Sequence, residues 1–322
     1  MNVSPTSPAA ALRALADDPA AASALAVTIL EGNHGKDTLL AALKALAQHP
    51  LDAARPALRK LYDRSSRDKG KHDQGGYLRR AVLDTLRGVA RPADAGWLAQ
   101  ACETYEFWPP DFAEDAVVIR AAALVALLEV DTDLARFHAA RLLVDPFTAR
   151  MTGEPATSAA RVLGALGETL PLYLLACQNM PHERAAAAVT VFPEVTAECL
   201  RQLTTLPAAL VERLLEHYAA TPSAIIRMGL FDLLLNHAEG PLGRAYFVRF
   251  LDETTDDDIY RYLVMSMVLA GHEAPLDDLR RAAYRERRRT RQEILLEAAT
   301  ILAHRPEFGE LAGFLREKVG KR

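Results

Sequence analysis

Between Arg280 and Arg291 the chain carries seven arginines, at positions 280, 281, 285, 287, 288, 289 and 291, with Glu286 the one acid among them. A guanidinium presents a planar fork of donors that matches phosphate or carboxylate. The chemistry on offer is therefore recognition of an anion. At about 100° per residue, Arg281, Arg285, Arg288 and Arg289 share a broad face if one helix runs through them. The spacing also fits a turn near Arg289, with Thr290 capping the next helix and Glu293 completing a capping box. Two readings stay open: an anion contact, or a solvated face neutralised by acids such as Asp277, Asp278 and Glu297. Only Tyr284 stands close among aromatics, which gives little support to stacking of single-stranded bases. More basic residues cluster near the end, at Arg316, Lys318, Lys321 and Arg322.

Other reactive side chains form no recognisable constellation. The nine histidines, from His34 to His304, include no two that stand three or four apart, and there is no H-E-x-x-H. The three cysteines, Cys102, Cys177 and Cys199, are far apart and sit in apolar helical surroundings. They read as buried free thiols, without a disulfide framework. There is no nucleophile elbow and no phosphate-loop pattern. No metal, no cofactor and no catalytic residue is therefore assigned, and an enzyme is the less favoured reading.

Residues 102–115, "CETYEFWPPDFAED", differ in composition. Tyr105, Phe107, Trp108 and Phe112 are interleaved with Glu103, Glu106, Asp111, Glu114 and Asp115, and Pro109 and Pro110 stiffen the turn. Aromatics this dense either plug a core or form an exposed anchor, since Trp and Tyr dominate interface hot spots. The acids would suit a basic protein partner.

The elements that position these residues are helical. Of 322 residues, 50% are hydrophobic and 25% charged, enough for a substantial core. Lys and Arg number 38 against 42 Asp and Glu, a formal charge of -4, opposite in sign to a dedicated non-specific nucleic-acid binder. Net charge averages over faces, so a local basic patch stays open. The N-terminus lacks a basic region and a long apolar run, and no stretch approaches a membrane span of about 18 residues. A cytoplasmic, soluble chain is expected.

Nearly every segment reads at helical period. "KDTLLAALKALAQHP" places Leu39, Leu40, Leu43 and Leu46 on one face, and "DTDLARFHAARLLVDP" does the same with Leu134, Phe137, Ala140 and Leu143. Frequent prolines delimit helices of about 10 to 16 residues, about 18 in all. No β-alternation is evident. Residues 62–76, "YDRSSRDKGKHDQGG", read as a flexible polar loop, either a plain insertion or a binding loop. Segments beginning near Tyr77, Val118, Ser158, His182 and Ala224 each carry an arginine early in a helix, then small residues and leucines. Arg80 to Arg120 spans 40 residues, Arg120 to Arg161 spans 41 and Arg184 to Arg227 spans 43, but Arg161 to Arg184 spans only 23, so the register slips there. Alanines such as Ala121, Ala122, Ala159, Ala160 and Ala185 to Ala188, with Gly164 and Gly229, allow helices to approach closely.

These segments, "IRAAALVALL" at Ile119 to Leu128 above all, resemble the HEAT-like (armadillo-type) repeat family over about residues 36–304. One helix pair of roughly 40 residues cannot bury its own apolar face, whereas stacked pairs bury a continuous core. The resemblance implies an all-α solenoid of stacked antiparallel helix pairs, a single array over 1–322, right-handed in superhelix, with each second helix lining the concave side. Arg80, Arg120, Arg161 and Arg227 then either pack against neighbouring turns or line a surface that meets an anionic partner, together with Arg281, Arg285, Arg288 and Arg289. The leading functional expectation is a non-enzymatic protein-interaction scaffold. The second is a nucleic-acid-binding member. Some HEAT-like proteins are glycosylases that remove alkylated bases in a basic groove with tryptophans and an aspartate. Trp97, Trp108, Asp111 and Asp115 supply those residue types but not that arrangement, so no roles carry over.

Overall fold

In a computed structural model of the chain, residues 7–110, 112–178 and 192–320 are described. The repeat segment with Arg184 and Ala185 to Ala188, Asp111, and the basic pair Lys321 and Arg322 lie outside these residues. The protein is all-α. Two compact units divide it, Met1–Leu166 and Gly167–Arg322. The boundary falls in the interval where the arginine register slips.

The first unit contains α1 (Pro8–Ala14), α2 (Pro19–Glu31), α3 (Lys36–Gln48), α4 (Arg55–Ser65), the single turn α5 (Arg67–Gly70), α6 (Tyr77–Leu86), α7 (Ala95–Ala101), α8 (Val117–Leu128), α9 (Thr132–Leu143) and α10 (Ala156–Ala165). The second contains α11 (Thr169–Gln178), α12 (Pro193–Gln202), α13 (Ala208–Tyr218), α14 (Ala224–Leu235), α15 (Arg244–Glu253), α16 (Asp257–Ala270), α17 (Glu273–Arg285), α18 (Arg289–Ile301) and α19 (Pro306–Gly320). Local chemistry starts many of them. Ser7 and Asp18 cap α1 and α2, each followed by proline at the first helical position, and Asp131, Ser223 and Asp256 cap α9, α14 and α16. Gly271 ends α16 in the left-handed region.

Alternate helices pack on one another. In the first unit α3, α6, α8 and α10 touch in succession, and α2 touches α4 and α7 touches α9 behind them. In the second, α12, α14, α16 and α18 form such a succession, with α15, α17 and α19 behind. Each succession buries its leucines and alanines, and side chains bridge helices 34 to 42 residues apart along the chain. Arg55 binds Asp94, Arg87 binds Glu129, Arg141 donates to the Cys102 carbonyl, and Arg244 binds Asp278. At the α12–α14 crossing the backbones nearly touch, and a Cβ on Gly229 would lie 2.6 Å from the Ala197 Cα. Among the described residues no helix is long and apolar enough to cross a membrane.

Several expectations change. The buried face of α9 is Ala135, Ala139, Leu142 and Leu143, while Phe137 is exposed. Small residues there let α9 sit close to its neighbours, which turns the larger ring outward. Residues 62–76 are not an open loop. α4 runs to Ser65, α5 follows, and a 3-10 turn covers Gln74–Gly76. The buried Asp73 carboxylate pins them, accepting from the Leu78 and Arg79 backbone N–H groups, Arg79 Nε and Lys36 Nζ. Gly70, at φ +77°, is required there, because a Cβ would run into the Arg79 guanidinium and the Glu106 carboxylate. The chain also has a small hairpin where no strand was expected, β1 (Phe107–Trp108) against β2 (Ala113–Glu114), pairing Phe107 with Glu114 and Trp108 with Ala113.

Candidate interaction site

The site grows from one residue, Arg120. It is the only charged residue in α8, whose other side chains are all apolar, and it is 0% exposed. A cation in such a core must be paired and hydrogen-bonded. Nη2 donates to Glu114 Oε2 at 2.9 Å and Nη1 lies 2.9 Å from Glu114 Oε1, a fork-to-fork pair. Nε donates to Asp145 Oδ2 at 3.1 Å, Nη1 donates to the Thr104 carbonyl at 2.8 Å, and the guanidinium lies 4.1 Å from the centre of the Tyr105 ring.

Both carboxylates hold further backbone. Glu114 accepts from the Glu106 and Ala116 N–H groups, and Asp145 accepts from the Phe147 N–H and the Tyr105 hydroxyl. Arg120 thus ties together the segment before the hairpin, the hairpin's second strand and the loop after α9. A second knot adjoins it. The buried Arg79 of α6 binds Glu106 through both Nη atoms and Asp73 through Nε.

This frame displays aromatic rings. Phe107 is 43% exposed, Phe112 65% and Phe147 42%. The Phe107 and Phe147 rings meet edge to face with centroids 5.1 Å apart, and Tyr105 meets Phe147 at 5.7 Å. Phe112 occupies the left-handed region at φ +52°, a strained conformation for an aromatic residue that persists only where its surroundings impose it. Of the four aromatics expected to bind a partner, Phe107 and Phe112 are exposed and Trp108 is half-buried. Tyr105 is built into the frame, its hydroxyl accepting from Arg141 and donating to Asp145. Burial pushes its phenol above the ordinary range. Sequence reasoning missed Phe147, which lies 40 residues beyond Phe107 and offers no local signal except its place in a proline-marked turn.

The acids expected to line an acidic surface are mostly spent inside. Glu106 and Glu114 pair with buried arginines, and Asp115 accepts from the Gly75 N–H at 2.6 Å. Glu103 remains exposed. Among the described residues the outward side of the site is mainly apolar, carried by Phe107, Phe112 and Phe147.

The arginine series also divides. Arg120 is fully buried and makes no anion contact with a partner. Arg80 and Arg161 line a small groove of about 220 Å³ over α6, α8 and α10, but each faces an acid, Asp84 at 3.5 Å and Glu154 at 3.9 Å. The buried arginine of α6 is Arg79, one residue before Arg80. Arg227 is half-buried, donating to the Thr221 carbonyl and lying 5.6 Å from the Phe250 ring centre.

In the C-terminal cluster Arg281 pairs with Asp278, Arg285 with Asp252, Arg288 with Asp257 and Arg289 with Glu293. Arg291 is buried, with its guanidinium 4.4 Å from the Tyr260 ring centre and bound to Asp257 and the Thr254 carbonyl. The turn falls at 286–288, where Glu286 accepts from the Arg287 and Arg288 N–H groups, so Thr290 lies inside α18 and caps nothing. Exposed pairs contribute about 0–1 kcal/mol each. Replacing Arg285, Arg288 and Arg289 together by glutamate should therefore shift the thermal midpoint by only a few degrees. A shift of tens of degrees in calorimetry would place them in a structural network instead.

Burial pushes the Cys102 thiol up to about 12, and Cys199 is raised by the same cause, so neither is poised as a nucleophile. Cys177 is only half-buried, unlike the other two. Among the described residues no three His, Cys, Asp or Glu side chains converge as a metal site requires. No protein-family model, curated protein or solved structure matches the chain.

Proposed function

We propose that the chain is a non-enzymatic protein-interaction scaffold built from HEAT-like helix pairs, acting in the cytoplasm, and that its first unit grips a partner through the aromatic knuckle of Phe107, Phe112 and Phe147. The observation that carries this reading is the display of three phenyl rings on a hairpin and loop fixed from beneath by the Arg120 knot. Exposed rings cost solvation, and a strained Phe112 adds to that cost, so their presentation on a rigid frame is explained by contact with an apolar surface. Rigid aromatic anchors lose little entropy on binding and dominate interface energetics.

The test compares the wild type with a Phe107→Ala/Phe112→Ala/Phe147→Ala variant as immobilised baits in a lysate of the source cells. The expected result is a set of proteins retained by the wild type and lost by a variant with an unchanged melting curve. The same retained proteins on both baits would overturn the reading. Nucleic acid is the second reading, favoured by Arg249 and Arg287, which are exposed and have no acidic partner within 4 Å among the described residues. Anisotropy of labelled duplex DNA at two salt concentrations tests it, because several phosphate contacts make affinity fall steeply with salt.

A further inference from the structure

A groove of about 570 Å³ runs between α4 and α7 in the first unit, and cations outnumber acids along it. Arg55, Arg59, Lys60 and Arg67 line it against only Asp63 and Asp94, so four cations face two carboxylates and two positive charges are uncompensated. Arg55 is occupied, its Nη2 donating to both Asp94 oxygens at 3.0 and 2.8 Å. Arg59, Lys60 and Arg67 are all exposed, and among the described residues none of their side chains has a carboxylate within 4 Å or a hydrogen bond to the protein. The basic cluster in the second unit differs, since most of its arginines are matched to acids.

The groove also has a fixed ring. Trp97 is held edge to face by the buried Tyr62 at 4.9 Å, and the Arg59 guanidinium lies over the indole at 5.0 Å. That stacking restrains the Arg59 fork while leaving its donors unused. Pro56 and Ala93 form apolar lips beside it.

We propose that this groove binds a phosphate monoester carried on a polypeptide segment, with Arg59 and Arg67 contacting the phosphoryl oxygens, Lys60 adding charge, and Trp97 and the apolar lips receiving the flanking residues. A phosphoryl group carries about -1.5 to -2 charges near pH 7 and three acceptor oxygens. That matches the two uncompensated positive charges and the unused arginine forks. A long polyanion matches less well, because the uncompensated charge is only two and is gathered in one groove. This site is separate from the aromatic knuckle, and either stands if the other fails.

The experiment uses the purified full chain and a labelled alanine-rich peptide bearing one phosphoserine, followed by anisotropy. Its unphosphorylated twin, inorganic phosphate and single-stranded oligothymidylate are the comparison probes. The phosphopeptide is expected to saturate the protein and bind at least about tenfold more tightly than its twin. Arg59→Glu and Arg67→Glu, both surface changes that leave the melting curve in place, should each lower that affinity at least about tenfold. Arg59→Lys should retain part of it. Binding should weaken as pH falls through about 6, where the phosphate takes up its second proton. Equal affinity for the twin, an undiminished Arg59→Glu variant, preference for the oligothymidylate, or displacement by inorganic phosphate at the peptide's own concentration would each overturn the proposal.

Discussion

Replacing Arg120 by methionine is expected to lower the unfolding free energy of the first unit by about 3–5 kcal/mol, because it strands two buried carboxylates. Methionine fills much of the arginine stem's volume, so little of the loss comes from a cavity. What remains is Glu114 and Asp145, whose side chains are 3% and 0% exposed, without their shared cation. Both tryptophans of the chain, Trp97 and Trp108, lie in this unit, so urea unfolding followed by tryptophan fluorescence reads it directly. Arg120→Lys keeps the charge but loses the fork, and should fall between the wild type and the methionine variant. Neutralising the acids as well, with Glu114→Gln and Asp145→Asn, should recover part of the loss, since the penalty lies in uncompensated charge. A methionine variant within about 1 kcal/mol of the wild type would mean the knot contributes little.

Gly229→Val is expected to cost the second unit about 3 kcal/mol. The nearest atoms to a new Cβ are the Ala197 Cα and carbonyl oxygen at 2.6 Å, and the Ala197 Cβ at 2.9 Å. Two of these three are backbone, so no rotamer change relieves the collision and α12 and α14 must separate. Gly229→Ala should already be destabilising, despite alanine's higher helix propensity, which would favour it by about 0.8–1.0 kcal/mol at an exposed helical site. Adding Ala197→Gly should not rescue either variant, because it removes only the Cβ contact. Loss of helical circular dichroism on heating measures this. A stabilised Gly229→Ala protein would show that the helices are not in close contact at that crossing.

Gly229 shows what sequence can carry. A glycine inside a leucine-rich helix pointed to close approach, and the crossing with α12 is where that approach occurs. The helices themselves were legible for the same reason, since apolar period and proline punctuation are local properties. The candidate site was legible only in part. Residues 102–115 stood out by composition, and Phe107 and Phe112 are indeed exposed, but Tyr105, Glu106 and Glu114 face inward. Phe147 joins them from the loop after α9. Arg79 and Arg80 make the same point on a smaller scale. They are adjacent, about 100° apart around one helix, and both fit a loosely drawn repeat; one is buried between Asp73 and Glu106, while the other sits in solvent beside Asp84.

What the sequence by itself determined is an all-α chain of short helices punctuated by proline and capped by serine and aspartate, with small residues where neighbours come close. Each of these follows from a residue and its neighbours within a few turns. What only the tertiary structure decided is the fate of the charges and rings: that Arg120, Arg79 and Arg291 are internal, that most arginines of the C-terminal cluster are matched to acids, and that three cations between α4 and α7 are not. A guanidinium's worth depends on whether a carboxylate about 25 to 40 residues away along the chain is brought to within about 3 Å, as Asp145 is to Arg120 and Glu106 is to Arg79. That distance is set by how successive helix pairs stack, and helical period alone does not contain it.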